Sequence, residues 1–252
     1  MDHAADPSHP RYRSLLMRHR LEVAAKKGML ADSAMIAHGR GEAYDYLLGE
    51  TTIPSADVAT QIALQALMQA DHPVLSVNGN VVALAGDEML RLAYKIGCPL
   101  EVNIFYRTPE RMEALLTDLN ERKDRLGLDV DILGANPDAT IPGLKGPRAK
   151  CESKGILQAD VILVPLEDGD RCEALVAMGK TVIVVDLNPL SRSSQRGSIT
   201  IVDELSRCLE NMLAMETETL PSRDSYDHYQ TLQDALNAIV VGMKNKFSEA
   251  IE

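Results

Sequence analysis

The sequence predicts an α/β fold: a parallel β-sheet with helices on both faces and a helical subdomain at the N-terminus. Two nearly continuous apolar runs, residues 161–165 and 181–185, carry most of this prediction. Runs rich in Val and Ile are typical of strands buried on both faces, as strands of parallel sheets are. A short helical segment joins the two runs, and strand-like and helical segments also alternate over residues 74–133. Parallel strands joined by crossover helices show this alternation.

The first 70 residues are predicted to form helices. Apolar residues at helical spacing predict a helix over residues 10–27, and Asp32 or Ser33 can begin a short second one. A third helix is predicted over residues 55–70, because Ser55 is a suitable N-cap and apolar residues follow on one face.

Strands and helices then alternate up to a terminal amphipathic helix. We predict strands over 74–77, 100–105, 129–133, 161–165, 181–185 and 199–202, and helices over 87–96, 108–126, 171–178, 204–215 and 226–251. A loop rich in Pro and Gly is predicted over 136–148. We divide this compact unit into a helical region (1–72), an α/β core (73–215) and a helical extension (216–252).

Composition restricts the classes of function. The net charge of −11 argues against general binding to nucleic acid or to anionic membranes, since both require basic surfaces. We find no apolar run of about 18 residues and no signal-peptide pattern at the N-terminus, so we expect a cytoplasmic protein. The four cysteines are far apart and are expected to be buried free thiols.

Polar loops follow the two apolar runs, and we predict the active site there. Ligands of open parallel sheets bind beyond the carboxyl ends of the strands. The first loop carries Glu167, Asp168 and Asp170, and carboxylates of this kind suit Mg²⁺. Alternatively, Asp170 caps the following helix, and both interpretations can hold together. The second loop, residues 186–193, includes Arg192, which is well placed for a phosphate.

Arg40 lies between two glycines in the segment 38–42 (His-Gly-Arg-Gly-Glu). Glycines allow positive φ and close backbone approach, so this arginine can be held against a ligand phosphate. An ordinary loop with a surface arginine is an equally good interpretation. Arg18, on the first helix, is a surface residue as far as its local sequence tells.

Polar residues near two predicted strands are candidates for substrate binding. Asn78 and Asn80 follow the first strand, without either common phosphate-binding motif, so a tight Asn-Gly turn is the simpler interpretation. Glu101 and Asn103 lie on one face of a predicted buried strand, where polar groups need partners. They contact either substrate or a neighbouring loop, and the structural role is slightly favoured.

Together these segments closely resemble the archaeal phosphopantothenate synthetases, also called 4-phosphopantoate–β-alanine ligases. The matching stretches are residues 9–12, 36–43, 45–50, 73–80, 101–103, 141–144, 164–171, 186–192 and 200–203. The resemblance implies a homodimer with a Rossmann-like core. It also implies an enzyme of coenzyme A biosynthesis that condenses 4-phosphopantoate with β-alanine, using ATP, to give 4′-phosphopantothenate.

The resemblance further implies the residues that bind ATP: Arg18, Arg40, Asp186, Leu187, Asn188, Arg192, Ser193, Asp203 and Glu204. The chain departs from the family pattern at two of these positions. Ser193 replaces a common threonine and keeps the hydroxyl group. Glu204 replaces a common asparagine, and its charge puts a side-chain hydrogen bond to the nucleotide in doubt.

The family reaction implies an acyl adenylate and release of diphosphate, followed by attack of the amine and release of AMP. We expect Arg18, Arg40 and Arg192 to bind nucleotide phosphates. Arg40 and the three carboxylates of residues 167–170 are the expected catalytic residues, and those carboxylates are also the expected magnesium ligands. Candidates for contacts with the substrate, including the phosphate of 4-phosphopantoate, are Asn78, Asn80, Glu101, Asn103, Lys145, Arg148 and Lys150.

Two alternatives belong to other classes. A non-catalytic module that senses ATP would bind the nucleotide without consuming it. A nicotinamide-dependent oxidoreductase is disfavoured, because no GxGxxG motif follows the first strand.

Overall fold

The structure, a computed structural model, describes the backbone of residues 6–249 and the side chains up to residue 243. Within this part of the chain, six parallel strands form the main sheet. They are β1 (Pro73–Val77), β2 (Leu100–Val102), β3 (Ile132–Leu133), β6 (Val161–Pro165), β7 (Thr181–Val185) and β8 (Ile199–Ile201). A separate antiparallel pair consists of β4 (Ala139–Thr140) and β5 (Lys150–Cys151). The predicted parallel sheet is confirmed.

The strand order of the main sheet is β3-β2-β1-β6-β7-β8. Counted along the chain among these six strands alone, this is the order 3-2-1-4-5-6 of the Rossmann fold. The direction of winding reverses between β1 and β6, so a crevice opens at the carboxyl ends of these two strands. Such a crevice is the usual ligand site of an open α/β sheet.

The helices in the described residues are α1 (Tyr12–Lys26), α2 (Ala34–Leu48), α3 (Pro54–Gln69), α4 (Gly79–Ile96), α5 (Pro109–Leu126), α6 (Gly169–Ala177), α7 (Arg192–Arg196), α8 (Leu205–Ala214) and α9 (His228–Glu249). Residues of α1, α3, α4, α5, α8 and α9 share one apolar core with one face of the sheet. The other face packs mainly against α6 and the segment 139–159. Alternate residues of β6, such as Ile162 and Leu163, belong to opposite cores. Both faces are therefore covered, as the apolar runs predict.

The helix predicted over residues 87–96 begins eight residues earlier, at Gly79. The tight-turn interpretation of Asn78 was wrong: its side chain accepts a hydrogen bond from the Val81 amide, 3.2 Å away, and caps α4. The helix is kinked at Ala85, whose backbone is not helical. Arg20 of α1 donates to the Leu84 carbonyl at 2.5 Å, so the kink has a partner on a neighbouring helix.

Other boundaries differ from the sequence prediction in identifiable ways. The strands β2 and β3 are shorter than predicted, because only their paired residues are strand. The loop predicted over 136–148 contains β4, which pairs with β5 just after it. The short helix α7 was not predicted. The terminal helix begins at His228, and its predicted end at residue 251 lies outside the described residues.

The four cysteines are free and buried, as expected. Burial raises the pKa of the Cys98 and Cys172 thiols to about 12, so both are protonated at neutral pH. Among the described helices, none is long and apolar enough to span a membrane.

Candidate active site

A cavity of about 610 Å³ lies beyond the carboxyl ends of β6, β7 and β8. Its walls come from the loops after these strands, the start of α4 and α8, and the helices α1 and α2. A volume of this size is typical of a small-molecule site. Seven of the predicted site residues line it: Arg40, Asn80, Glu167, Asp186, Leu187, Asn188 and Glu204.

The floor of the cavity is built at the reversal of strand order. Leu166, directly after β6, has a φ of +52°, which a branched side chain rarely adopts. The Asn78 amide nitrogen donates to the Leu166 carbonyl at 3.0 Å and also contacts the Pro165 carbonyl at 3.3 Å. Asn78 thus bridges the ends of β1 and β6. Both polar atoms of its side chain already bond within the protein, so neither is free for the predicted contact with substrate.

A buried ion cluster lies immediately below this floor. The Glu167 carboxylate forms ion pairs with both Arg148 and Arg171, and its side chain is only 2% exposed. Arg171 is fully buried and also donates to the Ser76 hydroxyl at 3.0 Å. Burial lowers the pKa of Arg148 to about 10, so this guanidinium still carries its charge at neutral pH. We define Glu167, Arg148 and Arg171 as the buried ion cluster.

The remaining two carboxylates of this loop are also engaged. Asp168 caps α6 by accepting from the Arg171 amide at 3.0 Å, and its other oxygen lies 2.6 Å from Arg148. Asp170 is exposed and pairs with Arg192. The helix cap is therefore Asp168, whereas the sequence suggested Asp170.

These carboxylates do not fit the predicted magnesium site. Glu167, Asp168 and Asp170 are neutralised by arginines, and the Glu167 side chain is only 2% exposed although the residue lines the cavity. Among the described residues, no group of three or more His, Cys, Asp or Glu side chains is disposed to hold a metal ion. Mg²⁺ requires nearly octahedral oxygen ligands and keeps several waters, which a carboxylate clamped by two guanidinium groups cannot supply.

The loop after β7 forms one wall of the cavity. Burial raises the pKa of Asp186, although hydrogen bonds from the Ser191 hydroxyl and the Asn188 amide partly oppose this. The positive charge of Arg40 acts on Asp186 in the same opposing sense. Leu187 is 8% exposed and gives the wall an apolar patch. Amide groups, a carboxylate and an apolar side chain together are suited to a nucleotide.

Arg40 projects from a helix and not from a loop, so the loop interpretation of residues 38–42 was wrong. Both glycines lie inside α2, where a Cβ on Gly41 would be 3.6 Å from the Leu187 side chain. The small residue lets α2 lie close to the wall of the cavity. Arg40 is exposed and forms no hydrogen bond or ion pair with any residue that the structure describes.

The other arginines of the cavity are already neutralised. Arg11 pairs with Glu50 at 2.9 Å, and Arg13 pairs with Glu204 and Glu210. Arg207 lies between Asp45 and Asp203 at 2.6 and 2.5 Å, and these two carboxylates keep its pKa raised although burial alone would lower it. Among the cavity arginines that the structure describes, Arg40 is thus the one with free donors.

Glu204 lines the cavity, but its carboxylate is directed to protein groups. It caps α8 by accepting from the amides of Ser206 and Arg207 at 2.9 and 3.0 Å. Burial alone would raise the pKa of Glu204, but these hydrogen bonds and the Arg13 charge hold it below its usual value. The negative charge of Glu204 is therefore stabilised by hydrogen bonds and an ion pair within the protein.

Twelve predicted site residues do not line the cavity: Arg18, Asn78, Glu101, Asn103, Lys145, Arg148, Lys150, Asp168, Asp170, Arg192, Ser193 and Asp203. Three of them hold the site together. Glu101 is buried and accepts from the amides of Glu152 and Ile156 at 2.9 and 2.7 Å, and Asn103 donates to the Lys150 carbonyl at 3.0 Å. The Ser193 hydroxyl donates to the Glu167 carbonyl at 2.6 Å and so ties the two polar loops together.

Arg18 and Arg192 are held outside the cavity by carboxylates. Arg18 pairs with Glu42 at 2.8 Å, and Arg192 pairs with Asp170 and Glu173. Both arginine side chains are about half exposed, at 44% and 57%. The Arg192 pairs are exposed on both sides and therefore weak, so a ligand phosphate can compete for that guanidinium group, whereas the Glu42 partner of Arg18 is only 15% exposed.

Several cavity residues were not predicted from the sequence. They include Arg11, Arg13, Ser14, His38, Tyr44, Asp45 and Arg207. The spacing of His38, Glu42 and Asp45 along one helix face is a usable signal once residues 34–48 are known to be helical. The contributions of α1 depend on tertiary packing and have no local signature.

Comparison with known proteins agrees with this architecture. Residues 55–242 match the family model described as phosphopantothenate/pantothenate synthetase. Proteins named 4-phosphopantoate–β-alanine ligase are similar to the chain over most of its length. The protein from Thermococcus kodakarensis is 47% identical over 91% of this chain and 89% of its own length.

Two further relatives carry the same name. The protein from Thermococcus onnurineus is also 47% identical over 91% of this chain and 89% of its own length. The protein from Methanosarcina mazei is 45% identical over 96% of both chains. The chain belongs to the phosphopantothenate/pantothenate synthetase family.

Proposed function

We propose that the chain is a 4-phosphopantoate–β-alanine ligase that makes 4′-phosphopantothenate for coenzyme A biosynthesis. It consumes ATP and releases AMP and diphosphate. The observation that carries the proposal is the 45–47% identity, over 91–96% of the chain, to relatives named for this activity. A cavity at the strand ends with an unpaired arginine supports it, because the substrates carry phosphates and carboxylates.

In this proposal ATP lies between α2 and the loop after β7. Arg40 donates to the phosphates, and residues 186–188 contact the nucleoside from the opposite wall. Arg192 joins the phosphates by leaving its exposed carboxylate partners, and Arg18 joins them by leaving Glu42, whose side chain is 15% exposed. Ser193, Asp203 and Glu204 support the nucleotide-binding loops, since their side chains already bond within the protein.

The chemistry then depends on positioning and charge neutralisation. A carboxylate oxygen of 4-phosphopantoate attacks the α-phosphorus of ATP, and the bond to diphosphate breaks. Both reactants are anions, so Arg40 lowers the barrier by neutralising charge between them. The β-alanine amine then attacks the acyl carbon, the amide bond forms and AMP leaves.

The phosphate of 4-phosphopantoate has three predicted partners, Lys145, Arg148 and Lys150. Arg148 is buried in the ion cluster, whereas the two lysines are exposed. We therefore assign that phosphate to the lysines, with Asn80 as a further contact from the cavity wall. Mg²⁺ enters the proposal as a companion of the ATP phosphates. We route no step through it, because the carboxylates of residues 167–170 do not fit such an ion.

Product analysis tests the activity. With ATP, 4-phosphopantoate and β-alanine, the protein is expected to form 4′-phosphopantothenate, AMP and diphosphate in equal amounts, measured by mass spectrometry. Omission of either acid should abolish the amide product. Release of ADP and phosphate would mean an acyl-phosphate route, and ATP binding without turnover would favour the ATP-sensing module.

Arg40→Lys tests the phosphate contact. Lysine keeps the charge but lacks the planar fork of donors, so kcat/KM for ATP should fall by roughly tenfold or more, about 1.4 kcal/mol. The matched control is Arg91→Lys, because Arg91 is exposed on α4 and does not line the cavity. Kinetics close to wild type in a folded Arg40→Lys variant would exclude the role given to Arg40.

The protein is further proposed to act as a cytoplasmic homodimer. Its four buried free cysteines suit a reducing compartment. The helices α2 and α9 pack together and leave apolar side chains exposed, including Ile36 (68%), Val240 (50%) and Val241 (55%). Light scattering should give twice the chain mass of 27.6 kDa. A mass of one chain at micromolar concentration would contradict the dimer.

A further inference from the structure

The second half-reaction requires a proton acceptor for the β-alanine ammonium, and the phosphate-binding arginines cannot serve as one. The amine of β-alanine is an aliphatic ammonium at neutral pH, with a pKa of about 10 as for lysine. An ammonium has no lone pair and cannot attack the acyl carbon. A group in the cavity must therefore accept a proton before the amide bond forms. This requirement rests on the proposed function.

Carboxylates are the first candidates for that proton acceptor, and each one lining the cavity already has partners. The pairs are Glu42 with Arg18 and Ser14, Asp45 with Arg207, Glu50 with Arg11, Glu167 with Arg148 and Arg171, Asp186 with Ser191 and the Asn188 amide, and Glu204 with Arg13 and the start of α8. Protonation would cost each of these carboxylates those bonds, although burial raises the pKa of Asp45 and Asp186.

His38 differs from all of these groups. His38 lines the cavity from α2 and is half-buried, and its buried Nε2 has no hydrogen-bond partner among the residues that the structure describes. A buried polar atom without a partner is costly, and in a native protein it calls for an explanation such as a ligand or water. In the family reaction the missing partner can be the substrate ammonium.

Burial favours the neutral form of the His38 imidazole. Burial is the largest effect and lowers the pKa of His38, and the positive charge of Arg18 on α1 acts in the same direction. Glu42 on α2 and Glu204 at the start of α8 oppose this without reversing it. A neutral imidazole at physiological pH can accept a proton.

We propose that His38 is the catalytic base that deprotonates the β-alanine ammonium. An imidazole nitrogen takes one proton, and the freed lone pair forms the C–N bond. The C–O bond to AMP breaks with its electron pair leaving on AMP, and the second N–H proton passes to water. His38 lies two residues from Arg40, about 3 Å along the helix axis, so one helix serves both the phosphates and the amine.

Three rates measured on His38→Gln separate this role from others. Glutamine keeps a polar side chain of similar length but cannot accept a proton at neutral pH. The β-alanine-dependent rate should fall by about 100-fold or more, as for other general bases. The exchange of diphosphate into ATP that depends on 4-phosphopantoate should stay within about twofold of wild type, because that step involves no amine. Hydroxylamine, largely unprotonated at neutral pH, should still trap the acyl adenylate at the wild-type rate.

The pH profile and a control complete the test. The defect of His38→Gln should shrink as pH rises toward the pKa of the ammonium, since free amine then becomes available. His19→Gln is the matched control, because His19 lies on α1 outside this cavity, and all three of its rates should match wild type. His38→Asn replaces the glutamine variant if the latter does not fold.

Two results would overturn the proposal. One is a β-alanine-dependent rate near wild type in the folded variant. The other is an equal loss of all three rates, which would make His38 a structural or nucleotide contact. Absence of diphosphate exchange in the wild-type protein would instead contradict the proposed function itself, so the two failures are distinguishable.

Discussion

The site depends on a negative charge buried between two positive ones at the point where the strand order reverses. Glu167 is held by Arg148 and Arg171, and these three side chains are almost completely removed from solvent. Each charge would be costly there alone, since breaking a buried pair costs about 3–5 kcal/mol. The cluster therefore fixes the loop after β6, including the unusual backbone of Leu166. Because this loop forms the cavity floor, the floor is held rigid as well.

The same distribution of charge explains how an acidic protein can accept acidic substrates. The chain has a net charge of −11, and most of the arginines that line the cavity form ion pairs with carboxylates of the protein. Among the described residues Arg40 has no partner for its donors, whereas Arg18 is paired with the part-buried Glu42 and Arg192 with the exposed Asp170 and Glu173. In the proposed function, a ligand phosphate binds Arg40 directly and competes with carboxylates for Arg18 and Arg192. The helix α2 that carries Arg40 also carries His38, which we propose as the proton acceptor for the β-alanine ammonium.

The parts of the fold that the sequence predicts are those governed by local pattern. The β6 and β7 runs are buried on both faces, so they stay apolar throughout and mark a parallel sheet. Polar residues directly after β7 lie at the cavity because strand ends determine where a loop can go. The glycines around Arg40 left a phosphate contact and a surface arginine equally possible, and the structure shows that Arg40 lines the cavity.

The sequence predictions were wrong where contacts with residues distant in the chain determine the local structure or the partner of a charge. Residues 38–42 were taken for a loop because glycine disfavours helix, but packing of Gly41 against Leu187 makes the small residue useful inside α2. The acidic segment 167–170 resembles a magnesium site only while Arg148 is out of view, and that arginine lies 20 residues earlier in the chain. Arg171 lies only four residues from Glu167, but the burial of that carboxylate and its second pair with Arg148 cannot be seen in a local window.

Unfolding of Glu167→Gln in the presence of EDTA tests the central claim most directly. If Glu167 neutralises two buried arginines, the free energy of unfolding from urea titration should fall by about 3–5 kcal/mol, and Mg²⁺ should not restore it. The same change at Glu121, exposed on α5, should have little effect. Unchanged stability of Glu167→Gln, together with a raised magnesium requirement for activity, would contradict the account.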